Sequence, residues 1–135
     1  MRLHEQAALV TGGRQGIGRS IVDSFISEGA DVMTCGRASR PADLPSIVGW
    51  TQTDLANQDD IEELSFLALD RFGGLDILVN NAGILRDKSF KKMSLDEWDI
   101  VINVHLNGSA YVSWYAWPIM YEKNYGRIVF TSSTS

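Results

Sequence analysis

The sequence predicts a three-layer α/β fold built on a doubly wound parallel sheet. Short apolar runs alternate with segments of helical periodicity along the whole chain, and glycines stand where elements must end. Within that pattern Ile77-Leu78-Val79 is apolar without alternation, as a strand buried on both faces should be.

Each element has its own local reason. Ala7-Ala8-Leu9-Val10 is a buried strand that runs into Thr11-Gly12-Gly13. Ile17, Ile21 and Phe25, with Val22 and Ile26, then recur at helical spacing, and Gly29 stops that helix. Val32-Met33-Thr34-Cys35 is a second strand closed by Gly36, and Arg37 to Pro45 is a polar loop. Val48 to Thr53 forms a third strand. Asn57 caps a helix through Asp60, with Ile61, Leu64, Leu67 and Ala68 facing inward and Gly73-Gly74 ending it. The fourth strand is the 77–79 run. Ser94 and Glu97 have capping-box spacing and open a long helix, 94–123, with a kink expected near Pro118. Gly126 precedes a fifth strand, Ile128-Val129-Phe130.

A length of 135 residues suits one domain, 1–135, with a sizeable core. The net charge of −5 argues against a nucleic-acid surface, and the basic stretch Lys88 to Lys92 is short and followed by acids. Cys35 has no partner in the chain and sits in an apolar run, so it reads as a buried structural thiol in a reducing compartment. The first residues lack a leader's apolar core, and no run approaches a membrane span. A cytoplasmic protein with no membrane partner and no metal site is expected.

Thr11-Gly12-Gly13-Arg14-Gln15-Gly16-Ile17-Gly18 joins a strand to a helix. A helix start offers free N–H groups and a positive dipole end to a diphosphate. Gly12 permits the tight turn, Gly16 lets backbone approach the phosphates, and Gly18 lets helix and strand pack closely. A dinucleotide site is the functional reading, and a purely structural turn is the bland one. The carboxylate at the usual ribose spacing is Asp31, but it begins the second strand, whereas ligands lie beyond the carboxyl ends. Gly36 and Arg37 stand at that end. Neither accepts from a ribose hydroxyl, and Arg37 can pair with a 2′-phosphate, so NADP is preferred over NAD. A solvated loop arginine is the competing reading.

These motifs, in this order, resemble the short-chain dehydrogenase/reductase family. Thr11-Gly12 with Gly16-Ile17-Gly18 matches its glycine motif, Asp54 its adenine-binding aspartate, Asn80-Asn81-Ala82-Gly83 its Asn-Asn-Ala-Gly motif, and Ser132-Ser133 its catalytic-serine segment. The resemblance extends over essentially the whole chain. It implies a Rossmann-like sheet of order 3-2-1-4-5 and a site formed by Gly12, Arg14, Gln15, Gly16, Ile17, Gly18, Arg37, Asp54, Leu55 and Asn80 through Gly83 (Asn81 and Ala82 between them). The run from Asn80 to Phe90 and Val104-His105-Leu106 is also similar to the hydroxyacyl-CoA dehydrogenase part of peroxisomal multifunctional enzymes. Gly36-Arg37 departs from that group, which tends to carry an acid there.

The resemblance further implies hydride transfer between a small-molecule alcohol and its carbonyl. In the family a tyrosine gives the proton, a lysine assists it, a serine binds the carbonyl oxygen, and an asparagine completes a relay. Ser133 matches the serine, with Ser132 its rival. At the asparagine position the chain has His105, which can shuttle protons or can simply be a packed helix histidine. Asn103 and Asn107 flank it but should point the other way. The lysine positions after Tyr111, Tyr115, Tyr121 and Tyr125 hold Tyr115, Ile119, Tyr125 and Val129, so Tyr-x-x-x-Lys does not occur. Two functions follow: the cofactor half of a longer oxidoreductase, inactive alone, or a naturally short dinucleotide-binding or interaction module. The fifth strand should then be an edge. Tyr111, Trp114, Tyr115 and Tyr121 give the long helix an aromatic surface, part of it packed on the sheet. The rest resembles the family's subunit interface, so a homo-oligomer is expected.

Overall fold

The computed structural model describes residues 1–83, 89 and 91–132. Five parallel strands, β1 (Ala7–Thr11), β2 (Asp31–Gly36), β3 (Gly49–Gln52), β4 (Ile77–Asn80) and β5 (Arg127–Phe130), form one sheet in the order β3-β2-β1-β4-β5. The helices are α1 (Gly16–Ser27), α2 (Gln58–Phe72), α3 (Leu95–Ile102) and α4 (Ser109–Lys123). The predicted order and alternation are those observed.

Period-two alternation sends side chains to opposite faces of the sheet. Leu9, Met33 and Leu78 join Leu64, Val112 and Ala116 in one buried cluster, with α2 and α4. Ala8, Val10, Val32 and Val79 join Val22 of α1 in the other. All four β4 residues are buried, as its apolar run requires.

Local signals are met where the chemistry is local. Asn57 accepts from the Asp60 N–H at 3.0 Å, and Gly73 ends α2 in a left-handed conformation, φ 70°. Ser94 accepts from the Glu97 N–H at 3.1 Å.

The long helix differs from expectation. It continues through the exposed Pro118 to Lys123, and a π-helical segment at Asn103–Gly108 separates α3 from α4. Asn124, at φ 57°, ends α4 in a left-handed conformation. Tyr115 is half-buried against the core and meets Trp114 edge-on at 5.0 Å, so it is not part of the exposed aromatic surface. Trp117 is exposed in its place. β5 is the outer strand, and Val129 and Phe130 are exposed on it. Among the described residues no helix is long and apolar enough to cross a membrane.

Candidate functional site

The carboxyl ends of the strands meet at two buried threonines. The Thr11 hydroxyl accepts from the N–H groups of Asn81 and Ala82, each at 3.0 Å, and donates to the Val79 carbonyl at 3.5 Å. It stitches the end of β1 to the turn after β4. The Thr34 hydroxyl donates to the Val10 carbonyl at 2.5 Å and accepts from the Gly13 N–H at 2.9 Å, fixing the glycine turn to β2. Sequence reasoning gave neither threonine a role, although a hydroxyl inside an apolar strand needs a partner.

The turn requires glycine for distinct reasons. Gly12 has φ 70°, and a Cβ there would stand 2.8 Å from Ala82 Cα. A Cβ at Gly18 would collide with the Gly12 carbonyl oxygen and lie 2.5 Å from Asn81 Nδ2. Gly16 has φ 61° and faces open space. Gln15 starts α1 with no side-chain cap, which leaves the first N–H groups for a ligand.

These groups border a cleft of about 830 Å³. One wall is the glycine turn, with Arg14, Gln15 and Ile17; the next is Cys35, Gly36, Arg37 and Ala38 at the end of β2. Thr53, Asp54 and Leu55 follow β3, and Asn81, Ala82 and Gly83 follow β4. Val104, His105 and Thr131 complete it. The expected binding residues therefore converge, with one exception. Asn80 is buried behind the cleft, where its amide donates to Ser113 Oγ on α4 at 3.0 Å. Strand alternation turns it toward that helix and Asn81 toward the cleft. Ser133 and residues 84–88 and 90 lie outside the described residues; Ser132 is exposed and Thr131 donates to Asn81 Oδ1 at 3.3 Å.

The arginines divide by what they already hold. Arg19 bonds Asp23 at 3.1 Å and the Asp43 carbonyl at 2.7 Å, and the Asp23 bond raises its pKa. Arg40 donates to the Val48 and Pro45 carbonyls, both at 2.7 Å. Arg14 and Arg37 are exposed on the cleft and make no ion pair among the described residues. The Arg37 backbone is fixed, its carbonyl accepting from Gln52 Nε2 at 3.0 Å. Asp31 lies at the far end of β2 and bonds Arg71 at 3.2 Å, which removes it from the cleft as strand direction required. Asp54 accepts from the Ala56 N–H at 2.9 Å and donates its own N–H to Asp60 at 2.8 Å.

The π segment brings His105 to the cleft. A Cβ at Gly83 would stand 2.5 Å from the imidazole Cε1, so glycine there makes room for the ring. Asn103 and Asn107 bond each other at 2.9 Å and do not border the cleft. Among the described residues no group of three or more potential ligands could hold a metal ion.

Cys35 is buried, as its apolar setting predicted, and burial pushes its thiol up to about 11, against the opposing bonds from Gly12 and Thr53. The folded chain should resist alkylation at pH 8 and react in denaturant. Between the ordinary 9.0 and about 11 only the unfolded chain ionises this thiol. Stability is then lost as pH rises through that window, by up to about 3 kcal/mol, and Cys35→Ala should flatten that part of the slope. Denaturation midpoints of both proteins at pH 8 and pH 10.5 measure it; identical slopes would refute it.

The family model described as short chain dehydrogenase matches residues 6–135. The chain belongs to the short-chain dehydrogenase family. Within this family it is 41% identical to peroxisomal multifunctional enzyme type 2 of Mus musculus, over 100% of this chain and 20% of that protein. It is 37% identical to an uncharacterized oxidoreductase of Mycobacterium bovis, over 98% of this chain and 57% of that protein. A crystal structure of a short-chain dehydrogenase from Streptomyces avermitilis superposes with a TM-score of 0.88 at 28% identity, covering 95% of this chain and 49% of the other. The chain thus spans between a fifth and about three fifths of the length of these relatives.

Proposed function

We propose that residues 1–135 act as one dinucleotide-binding domain serving the NAD(P)-dependent interconversion of an alcohol and a carbonyl, with NADP(H) preferred. One observation carries the reading: the start of α1, which has no side-chain cap, and Arg37, which makes no ion pair among the described residues, border the same cleft. An anion cradle and a guanidinium suit a pyrophosphate and a 2′-phosphate respectively.

In this reading Gly12 to Gly18, with Arg14 and Gln15, hold the pyrophosphate, and Ile17 covers an apolar face of the ligand. Asp54 and Leu55 flank the adenine, and Asn81, Ala82 and Gly83 form the floor. Asn80 acts indirectly, holding β4 to α4. The bound nicotinamide would supply or accept the hydride. Ser133 is the group for the carbonyl oxygen, and His105 stands where it can pass protons. The rival reading, a non-catalytic module, predicts the same binding and no turnover in the full-length protein.

Arg37→Ala should weaken NADPH binding by about 2 kcal/mol, roughly thirtyfold, and leave NADH unchanged. Fluorescence titration of both dinucleotides against both proteins measures it. Equal affinity of the wild type for the two would overturn the preference.

The exposed stripe of Tyr111, Trp114, Trp117 and Tyr121 on α4 supports self-association with a second copy, as a patch of aromatic residues at helical spacing does. The unpaired, buried cysteine suits a reducing aqueous compartment. The cytoplasm expected from composition is one such place, and the peroxisome in the names of several relatives is another.

A further inference from the structure

We propose that Trp50 sets the cofactor preference from the neighbouring strand. Its indole fills the volume that a side chain at position 36 needs, so no carboxylate can reach the ribose from the end of β2, and Arg37 meets the 2′ position instead. The inference rests on the dinucleotide reading above.

Backbone conformation does not demand glycine at 36. Positive φ is confined, among the glycines, to Gly12, Gly16, Gly29 and Gly73. The constraint is steric. A Cβ at Gly36 would stand 2.7 Å from Trp50 Cη2 and 3.2 Å from Cζ2, too close for carbon atoms. The register explains the approach: Trp50 pairs with Thr34 and Gln52 with Gly36, so Trp50 is the diagonal cross-strand neighbour of Gly36 on one face.

Neither partner can easily yield. The indole packs against the cluster that contains Val32, Leu44 and Val48, and its Nε1 is shut away from solvent without a hydrogen-bond partner among the described residues. Arg40 ties the adjoining loop through the Val48 and Pro45 carbonyls. On the other side the Gly36 carbonyl accepts from the Thr53 N–H at 2.7 Å, and Gln52 holds the Arg37 carbonyl. A carboxylate at the end of β2 is the group that binds a ribose 2′-hydroxyl, and an arginine there accommodates a 2′-phosphate. Trp50 therefore excludes the first arrangement without touching the ligand.

The test is a double-mutant cycle of Gly36→Asp and Trp50→Val, read by unfolding temperature and by NADPH and NADH titration. Gly36→Asp alone should lower the unfolding midpoint by more than about 5 °C. In the double variant the two losses should be less than additive, and NADH affinity should rise about tenfold over Trp50→Val alone. Should Gly36→Asp fail to fold, Gly36→Ala carries the same stability cycle. Additive losses, or a Gly36→Asp protein as stable as wild type, overturn the inference while leaving an NADPH preference intact. A wild type that binds neither dinucleotide, or both equally, overturns the cofactor reading and this inference with it.

Discussion

Replacing Gly18 with alanine should destabilise the fold by about 2 kcal/mol net and weaken dinucleotide binding more than tenfold. Two effects oppose each other. Alanine favours a helix over glycine by about 1 kcal/mol, and Gly18 lies in the first turn of α1. Against this, the new methyl collides with the Gly12 carbonyl and crowds Asn81 Nδ2, at a cost of about 3 kcal/mol. Backbone that must shift to relieve the clash is the backbone of the proposed phosphate cradle, so binding falls with stability. Gly16→Ala is the informative contrast. Its methyl meets nothing within 4 Å, so stability should drop only by the left-handed strain, about 1 kcal/mol, while the methyl enters the cleft and affinity falls. Denaturant unfolding and fluorescence titration on both variants separate these terms. A Gly18→Ala protein at least as stable as wild type would show that helix propensity outweighs the contact.

The elements were legible because their signals are local. Asn57, Ser94 and Gly73 act on backbone within a turn of themselves, so cap and stop could be read from spacing. The convergence of Gly12, Arg37, Asp54 and Asn81 was legible through one topological rule, that ligands collect at the carboxyl ends of parallel strands. The same rule dismissed Asp31, which pairs with Arg71 at the other end. What remained hidden depends on partners distant in sequence. Thr11 serves Asn81 and Ala82 across the sheet, and Trp50 reaches Gly36 only through the β2–β3 register. The π segment that presents His105 has no compositional signature. Gly108 lets the segment come close to the Leu55 carbonyl, 3.0 Å from where a Cβ would stand. Asn80 is an intermediate case. The alternation that turns it away from Asn81 was in the strand pattern, but the motif drew both into one group.

At the opposite end of the sheet, Lys123→Met should cost about 3 kcal/mol and leave dinucleotide affinity unchanged. Asp76 is 4% exposed just before β4. One of its carboxylate oxygens accepts from the Ala7 N–H at 2.8 Å, and the other is bonded by the Lys123 ammonium at the end of α4. Backbone bonds join the same residue to both neighbouring strands, from its N–H to the Ala7 carbonyl and from the Arg127 N–H to its own carbonyl. Removing the ammonium leaves a buried carboxylate with a single backbone donor, and breaking such a pair costs more than the pair gains over an uncharged substitute. The loss falls at the lower end of the usual range because the lysine side chain is 46% exposed, so water can partly replace it. The companion variant decides the mechanism. Lys123→Met combined with Asp76→Asn removes both charges, keeps an oxygen for the Ala7 N–H, and should regain most of the stability. If Lys123→Met costs under about 0.5 kcal/mol, the pair behaves as an ordinary surface ion pair, and the anchoring of α4 to β1 and β4 must come from packing alone.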